Sequence, residues 1–156
     1  MAEIRFDTDL LIIGGGSGGC LAAIKAKDAA PDLRVTVVEK ASLRRSGAIG
    51  RGMDAYNIGV IPGIATPEQL VQSLGRMEDS LVDQRLVYKV GIDGFGIMQD
   101  LESWGVEFPR DKDGQYIVPP FHPTGRFMVE MRGEVKVILA EQTRRRGVEV
   151  LERVVA

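Results

Sequence analysis

Residues 14–19 read Gly-Gly-Gly-Ser-Gly-Gly, and Gly14, Gly16 and Gly19 fill the spacing G-x-G-x-x-G. Between a strand and a helix, each glycine of that spacing has its own duty. Gly14 permits the tight turn, Gly16 lets backbone approach a pyrophosphate, and Gly19 lets the helix lie close on the strand. Ser17 and Gly18 fall where the helix opens, and a helix N-terminus offers unpaired N–H groups and a positive dipole end to phosphates. Glu39 follows Gly19 by 20 residues and ends the next strand. A carboxylate there can accept hydrogen bonds from ribose hydroxyls. The spacing alone is a weak signal, and a bare turn without ligand would also satisfy it. Its weight comes from the elements around it.

Those elements form an α/β pattern. Asp9 to Ile13 is a short apolar run, as in a strand buried on both faces of a parallel sheet. Ser17 to Ala30 carries apolar residues at Leu21, Ala22, Ile24 and Ala26 and stops at Pro31, which predicts a helix. Arg34 to Glu39 is a second, β-branched strand. Strand, glycine turn, helix and strand make a βαβ unit, whose crossover should be right-handed. Both NAD(H) and FAD use such a unit. Residues 45–57, RSGAIGRGMDAYN, bear on the choice: a nicotinamide unit soon enters its next crossover, whereas here residues 41–66 form a long glycine-rich loop suited to lying along an extended ligand.

Beyond the loop, Thr66 caps a helix with Pro67 at its first position and Glu68 in its first turn, running to about Met77. Ser80 is read as the cap of a longer helix to Ser103, burying Leu81, Val82, Leu86, Val90, Phe95, Met98 and Leu101. Gly91, Gly94 and Gly96 count against it, each by up to about 1 kcal/mol relative to Ala, and Gly105 closes it. Val106–Phe108 and Gln115–Val118 flank the turn Asp111–Gly114, which predicts a small hairpin over about 106–118. Pro119, Pro120 and Pro123 enforce an extended crossing. A helix over 134–146 ends on Arg144, Arg145 and Arg146 with Gly147 at C′, and 148–155 is again strand-like.

The expected fold is therefore α/β: a Rossmann-like FAD-binding or dinucleotide-binding domain on a parallel sheet, incomplete within 156 residues. Val150, Val154 and Val155 are expected to be poorly covered, and an open sheet edge favours association into an oligomer. The net charge of −2 gives no field for a nucleic acid backbone or an anionic membrane. One Cys excludes an internal disulfide and any multi-thiolate metal site. No apolar run approaches the ~20 residues of a membrane span, and the acidic start MAEIRFDTD does not read as a secretory signal. A cytoplasmic protein is expected. Glycine, at about 12% of the chain against a usual ~7%, is concentrated in 14–19 and 47–63.

EKASLRRSGAIGRGMDAYN, residues 39–57, resembles the flavin-binding segment of the fumarate reductase/succinate dehydrogenase flavoprotein family. Within it, RSGA followed by Gly50 and later Asn57 is similar to the alpha subunit of adenylylsulfate (APS) reductase. Looser similarity runs through LVYKVGIDGFGIMQDLESWGVEF and GEVKVILAEQ to GVEVLERVVA. The resemblance implies FAD, a two-electron redox reaction on a small-molecule substrate, a larger parent protein and an iron–sulfur partner subunit. Residues 1–156 would then be its N-terminal FAD-binding portion, with a helical segment at about 66–104, the capping domain absent, and no turnover by this portion alone. By the same resemblance Gly14, Gly16, Ser17, Gly18 and Gly19 hold the pyrophosphate. Glu39 holds the ribose, with Lys40 and Ala41 beside it. Ser46, Gly47, Ala48, Gly50 and Gly52 lie along the flavin, and the backbone of Val154, Val155 and Ala156 meets the adenine. Members that attach FAD covalently carry His where this chain has Gly47, which implies dissociable, noncovalent FAD. Asn57 matches an Asn near flavin and substrate, and Glu134 lies close to a family acid; both are candidate catalytic residues.

Four further features read more simply as structure. Cys20, in the first turn of a helix where a thiol can be activated, is favoured as a small core residue. His122 is a loop histidine without an identified partner, and Trp104 is core. The runs Arg44-Arg45 and Arg144–Arg146 are a solvated surface and a helix end suited to positive charge.

Overall fold

The structure, a computed structural model, describes residues 5–52, 54–57, 59–120 and 125–155. In chain order its elements are β1 (Leu10–Ile13), α1 (Ser17–Ala29), β2 (Val35–Glu39), a 3-10 turn (Ala48–Arg51), β3 (Ala55–Tyr56), α2 (Pro67–Met77), α3 (Gln84–Ser103), β4 (Val129–Glu130), α4 (Val135–Arg145) and β5 (Glu149–Glu152). They fall into two compact units, Met1–Met53 with Glu134–Ala156, and Asp54–Gly133.

The first unit is a three-stranded parallel sheet of order β1-β2-β5. Leu10 pairs with Val35 and Ile13 with Val38, while Thr36 pairs with Glu149 and Glu39 with Glu152. The central strand β2 is buried at every position. Helices α1 and α4 pack on one another, burying Cys20, Ala23 and Ile24 from the first and Val135, Leu139 and Ala140 from the second. The expectation that β1 is buried on both faces is corrected: Leu11 is 45% and Ile13 70% exposed. Within this unit β1 has a neighbour on one side only, and α1 covers the face of Ile12, whose Cγ2 lies 3.4 Å from where a Cβ on Gly19 would stand. At the start of the strand, the Asp9 carboxylate accepts from Arg34 N at 2.9 Å, Nε at 3.1 Å and Nη2 at 2.7 Å. Those bonds hold the carboxyl down, to about 2.

β5 is shorter than the predicted 148–155. Arg153 has φ +59 and ends the extended run. The chain nevertheless stays beside the sheet, since Arg153 N donates to Ala41 O at 3.2 Å and Val154 N to Glu39 O at 3.1 Å. The arginines of the α4 end do more than face solvent: Arg144 pairs with Glu152 at 3.0 Å and Arg146 with Asp28 at 2.6 Å.

In the second unit, α2 begins as predicted, on Thr66. Gln69 N donates to Thr66 Oγ1 at 3.3 Å, and Thr66 N donates to Gln69 Oε1 at 2.9 Å, completing a capping box. Ser80 does not cap α3. It and Asp79 take positive φ in the turn between the helices, and Asp83 caps instead, accepting from Arg85 N at 3.0 Å and Leu86 N at 3.2 Å. With the start displaced, Leu81 and Leu86 are 89% and 62% exposed rather than buried. Gly91 serves the packing of α3 on α2, because a Cβ there would stand 3.1 Å from Pro67. Val60, Ala65, Leu70 and Phe127 form one buried cluster of this unit, with Leu74 and Val87 against it, and Met98, Val106 and Val129 are buried as well.

The predicted hairpin over 106–118 is reduced to a turn closed by one Arg110–Tyr116 bridge, with Asp111 N bonded to Gln115 O at 2.8 Å. Pro109 has no N–H to extend a ladder, and Glu107 exchanges its backbone bonds with Arg132 instead. The antiparallel pair β3–β4 was not expected, because two residues per strand leave no readable period. Pro119 and Pro120 lie in no regular element; Pro123 and His122 fall outside the described residues. Trp104 is the half-buried C-cap residue of α3.

Ser73, on the buried face of α2, is fully buried, and its hydroxyl has no hydrogen-bond partner among the described residues. Ser73→Ala is expected to stabilise the chain by about 1 kcal/mol, by removing an unsatisfied buried group. Urea unfolding checks this: the midpoint should rise with an unchanged slope.

Candidate functional site

The site begins where β1 hands over to α1. Gly14 N donates to Val38 O at 2.8 Å, and the helix opens at Ser17 with Gly16 as its N-cap. Glu39, the last residue of β2, is 4% exposed, so its carboxylate is satisfied by the chain around it. Oε2 accepts from Gly15 N at 2.6 Å and Oε1 from Ala41 N at 2.8 Å. Ser46 Oγ donates to Gly15 O at 2.6 Å. Segments 14–16, 39–41 and 46–48 are thereby tied to a common centre. Burial by itself would raise the Glu39 carboxyl. The N–H groups of Ala41 and Gly15, the Ser46 hydroxyl and the charge of Lys136 outweigh it and hold the group below the usual carboxylate range.

Beneath this turn lie Cys20 and Lys136, 0% and 4% exposed. Lys136 Nζ donates to Cys20 Sγ at 3.1 Å, and the thiol is 3.5 Å from Gly15 O. Cys20 is thus a buried core residue, as favoured from sequence.

The glycine segments meet backbone to backbone. A Cβ on Gly19 would overlap Gly14 O, so the first turn of α1 can approach the strand end only without a side chain. Gly47 has φ +79, and a Cβ there would lie 2.9 Å from Gly16 Cα. The result is a groove of about 840 Å³, within the range of small-molecule and cofactor sites. Gly14, Gly16, Glu39, Lys40, Ala41, Ser46, Gly47, Ala48, Val154 and Val155 all line it, so most of the expected residues are brought together. Ser17, Gly18 and Gly19 form the adjoining first turn of α1, while Gly50 and Gly52 belong to the 3-10 turn and its C-cap.

The remaining expected residues are placed otherwise. Ala156 lies outside the described residues. Asn57 is an exposed turn residue of the second unit, following β3. Glu134 is the exposed N-cap of α4, without a capping bond from its side chain. Four groove residues went unassigned from sequence: Ile13, Val38, Arg45 and Arg51. Arg45 was legible as half of the Arg44-Arg45 run but was read as solvated surface. Arg44 does face solvent, in a 3.8 Å pair with Glu141. Gly15 was also missed, although its N–H and C=O hold Glu39 and Ser46.

This chemistry fits a dinucleotide. Lys40, Arg45 and Arg51 place three cations on the lining against the single acid Glu39. A Cβ on Gly14 would meet nothing within 4 Å, and one on Gly16 only Gly47 Cα at 3.7 Å, so bare backbone faces the groove where a diphosphate would approach. A family model described as "FAD binding domain" matches residues 9–156. The chain belongs to this family. Its cofactor is FAD, and the parallel sheet with its helices is part of an FAD-binding domain. The alpha subunit of adenylylsulfate reductase from Megalodesulfovibrio gigas is 30% identical over 158 residues, covering 88% of this chain and 23% of the relative. A CoM/CoB-type fumarate reductase polypeptide of Methanothermobacter marburgensis is 27% identical over 161 residues, covering 99% of this chain and 29% of the relative. The structure of adenylylsulfate reductase from Archaeoglobus fulgidus superposes with a TM-score of 0.81 at 31% identity, covering 95% of this chain and 24% of that one. The resemblance noted in the sequence therefore holds, and the chain spans less than a third of these relatives' lengths.

Gly19→Ala is expected to destabilise the FAD-binding domain by about 1–3 kcal/mol, because the overlapped atom is backbone and the helix must move off the strand. Thermal melts of the two chains check it. An unchanged melting temperature would show that α1 does not depend on this approach.

Proposed function

We propose that this chain is the FAD-holding part of a flavoprotein oxidoreductase of the fumarate reductase/APS reductase type. The observation that carries the proposal is the groove itself. Glycine turn, strand-end acid and the 45–52 segment converge on one backbone-lined, cation-rimmed site. In this assignment Gly14, Gly16, Ser17, Gly18 and Gly19 receive the diphosphate with backbone N–H groups and the dipole of α1. Glu39, beside Lys40 and Ala41, accepts from the ribose. A carboxylate has about four acceptor positions, and the bonds from Gly15 and Ala41 use two. Ser46, Gly47, Ala48, Gly50 and Gly52 lie along the flavin, and Val154, Val155 and Ala156 border the adenine.

When bound, FAD supplies the two-electron chemistry. The chain's own residues bind it and fix its orientation. Asn57 and Glu134 enter as candidate catalytic residues on the strength of the resemblance. The likeness to adenylylsulfate reductase supports a small-molecule substrate and, as electron-transfer partner, an iron–sulfur protein. Oligomer formation is proposed from the exposed Leu11 on β1, the strand with a neighbour on one side only within this unit. No helix among the described residues is long and apolar enough to cross a membrane; a cytoplasmic location is proposed on the single unpaired thiol of Cys20. Residues 1–156 by themselves are not expected to turn over, because excluding water over the flavin takes a second domain.

Reconstitution with FAD tests the assignment. The chain should take up flavin and show its absorption bands, and a colourless chain after reconstitution would defeat the proposal. Gly16→Val puts a branched side chain where the diphosphate approaches. FAD affinity should fall by about a hundred-fold, or about 2.8 kcal/mol, with helix content unchanged by circular dichroism. Gly47, standing where covalent members have His, gives a separate expectation. Acid precipitation should leave the flavin in the supernatant, and yellow precipitate would show a covalent bond.

A further inference from the structure

We infer that Lys136 is a positioning residue for the cofactor: its ammonium, buried beneath the glycine turn, is the counter-charge of the Glu39 carboxylate at the ribose end of the groove. This role presupposes the FAD assignment above and names the residue on which its acid depends. Lys136 sits in the first turn of α4 and was not singled out in the sequence, where it reads as one more helix lysine.

Among the described residues, Glu39 and Lys136 are the only charged side chains that are buried, each 4% exposed. They have opposite sign and belong to the same unit. A charge is kept in a protein interior only when it is paired or richly hydrogen-bonded. Hydrogen bonding does not account for Lys136. Among the described residues its side chain donates to Cys20 Sγ at 3.1 Å, and sulfur is a weak acceptor for an ammonium with three protons. A compensating negative charge is therefore required, and the buried carboxylate of Glu39 stands at the other end of a short relay from it. Among the groups that lower that carboxyl, the charge of Lys136 follows the N–H groups of Ala41 and Gly15 and the Ser46 hydroxyl. Contact between them is relayed. Lys136 Nζ bonds to Cys20 Sγ, the thiol lies 3.5 Å from Gly15 O, and Gly15 N donates to Glu39 Oε2 at 2.6 Å.

Other charges near Glu39 do not take this place. Glu152 is its register partner on β5, of like sign, and is held by Leu43 N at 2.7 Å, Ser42 Oγ at 3.3 Å and Arg144 at 3.0 Å. Lys40, Arg45 and Arg51 are exposed to water at the groove lining, where their fields are screened. Lys136 alone acts from inside.

The sign of the pH effect follows. Glu39 is lowered in the folded chain, so its stabilising contribution is present above the unfolded value and is lost as pH falls through the folded one. Without Lys136 the burial of Glu39 is opposed by less. The carboxyl then rises, and protonation reaches it at higher pH.

The experiment measures FAD dissociation constants for the 156-residue chain, K136M, E39Q and the double variant E39Q/K136M across roughly pH 4 to 8, with urea unfolding of the same four proteins without FAD. The acid limb of FAD binding is expected to move to higher pH in K136M than in the parent chain. The urea midpoint lost on removing Lys136 is expected to shrink by about half or more in the E39Q background, because removing both charges leaves neither uncompensated. Should K136M fail to fold, E39Q/K136M is expected to fold. An unmoved acid limb, an equal midpoint loss in both backgrounds, or a double variant that stays unfolded while E39Q folds would each overturn the inference. A parent chain that takes up no FAD would overturn the cofactor role together with the assignment beneath it, while the urea cycle would still report whether the two charges are coupled.

Discussion

A carboxylate placed at the end of a fully buried strand must find its hydrogen bonds within the chain, and at Glu39 that need sets the geometry of everything around it. One oxygen takes the N–H of Gly15 and the other that of Ala41, which fixes the turn after β1 and the exit from β2 relative to each other. Ser46 then closes on the opposite side of Gly15 through its carbonyl. Gly15 is thus gripped at both backbone groups, and the loop that follows β2 is drawn over the start of α1. The groove is the space left between segments held in this way.

Because those segments are held so closely, side chains are excluded from their contacts. A Cβ on Gly47 would crowd the Cα of Gly16, and one on Gly19 would overlap the carbonyl of Gly14. A surface made of peptide groups presents dipoles of fixed direction, which suits a charged and extended ligand better than flexible side chains would. The side chains that do reach the groove divide by charge, with a buried acid at its base and Lys40, Arg45 and Arg51 at its lining.

Much of this was legible in the residues. The glycine spacing, the apolar runs of β1 and β2 and the acid at residue 39 located the site, because each reflects a local requirement repeated within a few positions. Thr66 and Pro67 marked the start of α2 for the same reason. Ser80 misled because Ser and Asp are both good caps, and the choice of Asp83 is made by the positive φ of Asp79 and Ser80, which no residue type advertises. Exposure of Ile13 could not be read, since it follows from strand order and not from composition. Lys136 was invisible for another reason. Its burial comes from the packing of α4 on α1, and its partners, Cys20 and Glu39, are far away in sequence.

The discontinuity of the first unit has a consequence for how the groove comes into being. Strand β5 pairs with β2, and Val154 and Val155 line the groove, yet the whole of Asp54–Gly133 separates them from residues 1–53. Joining ends across so long an intervening segment carries a loop-closure cost that short-range contacts do not repay in advance. On a ribosome, β1, α1 and β2 emerge first, with the glycine turn complete in sequence but the far wall missing. The far wall of the groove, Val154 and Val155, is therefore completed only after the whole of residues 54–133 has been made, and a cofactor that needs both walls is captured late relative to the folding of β1, α1 and β2.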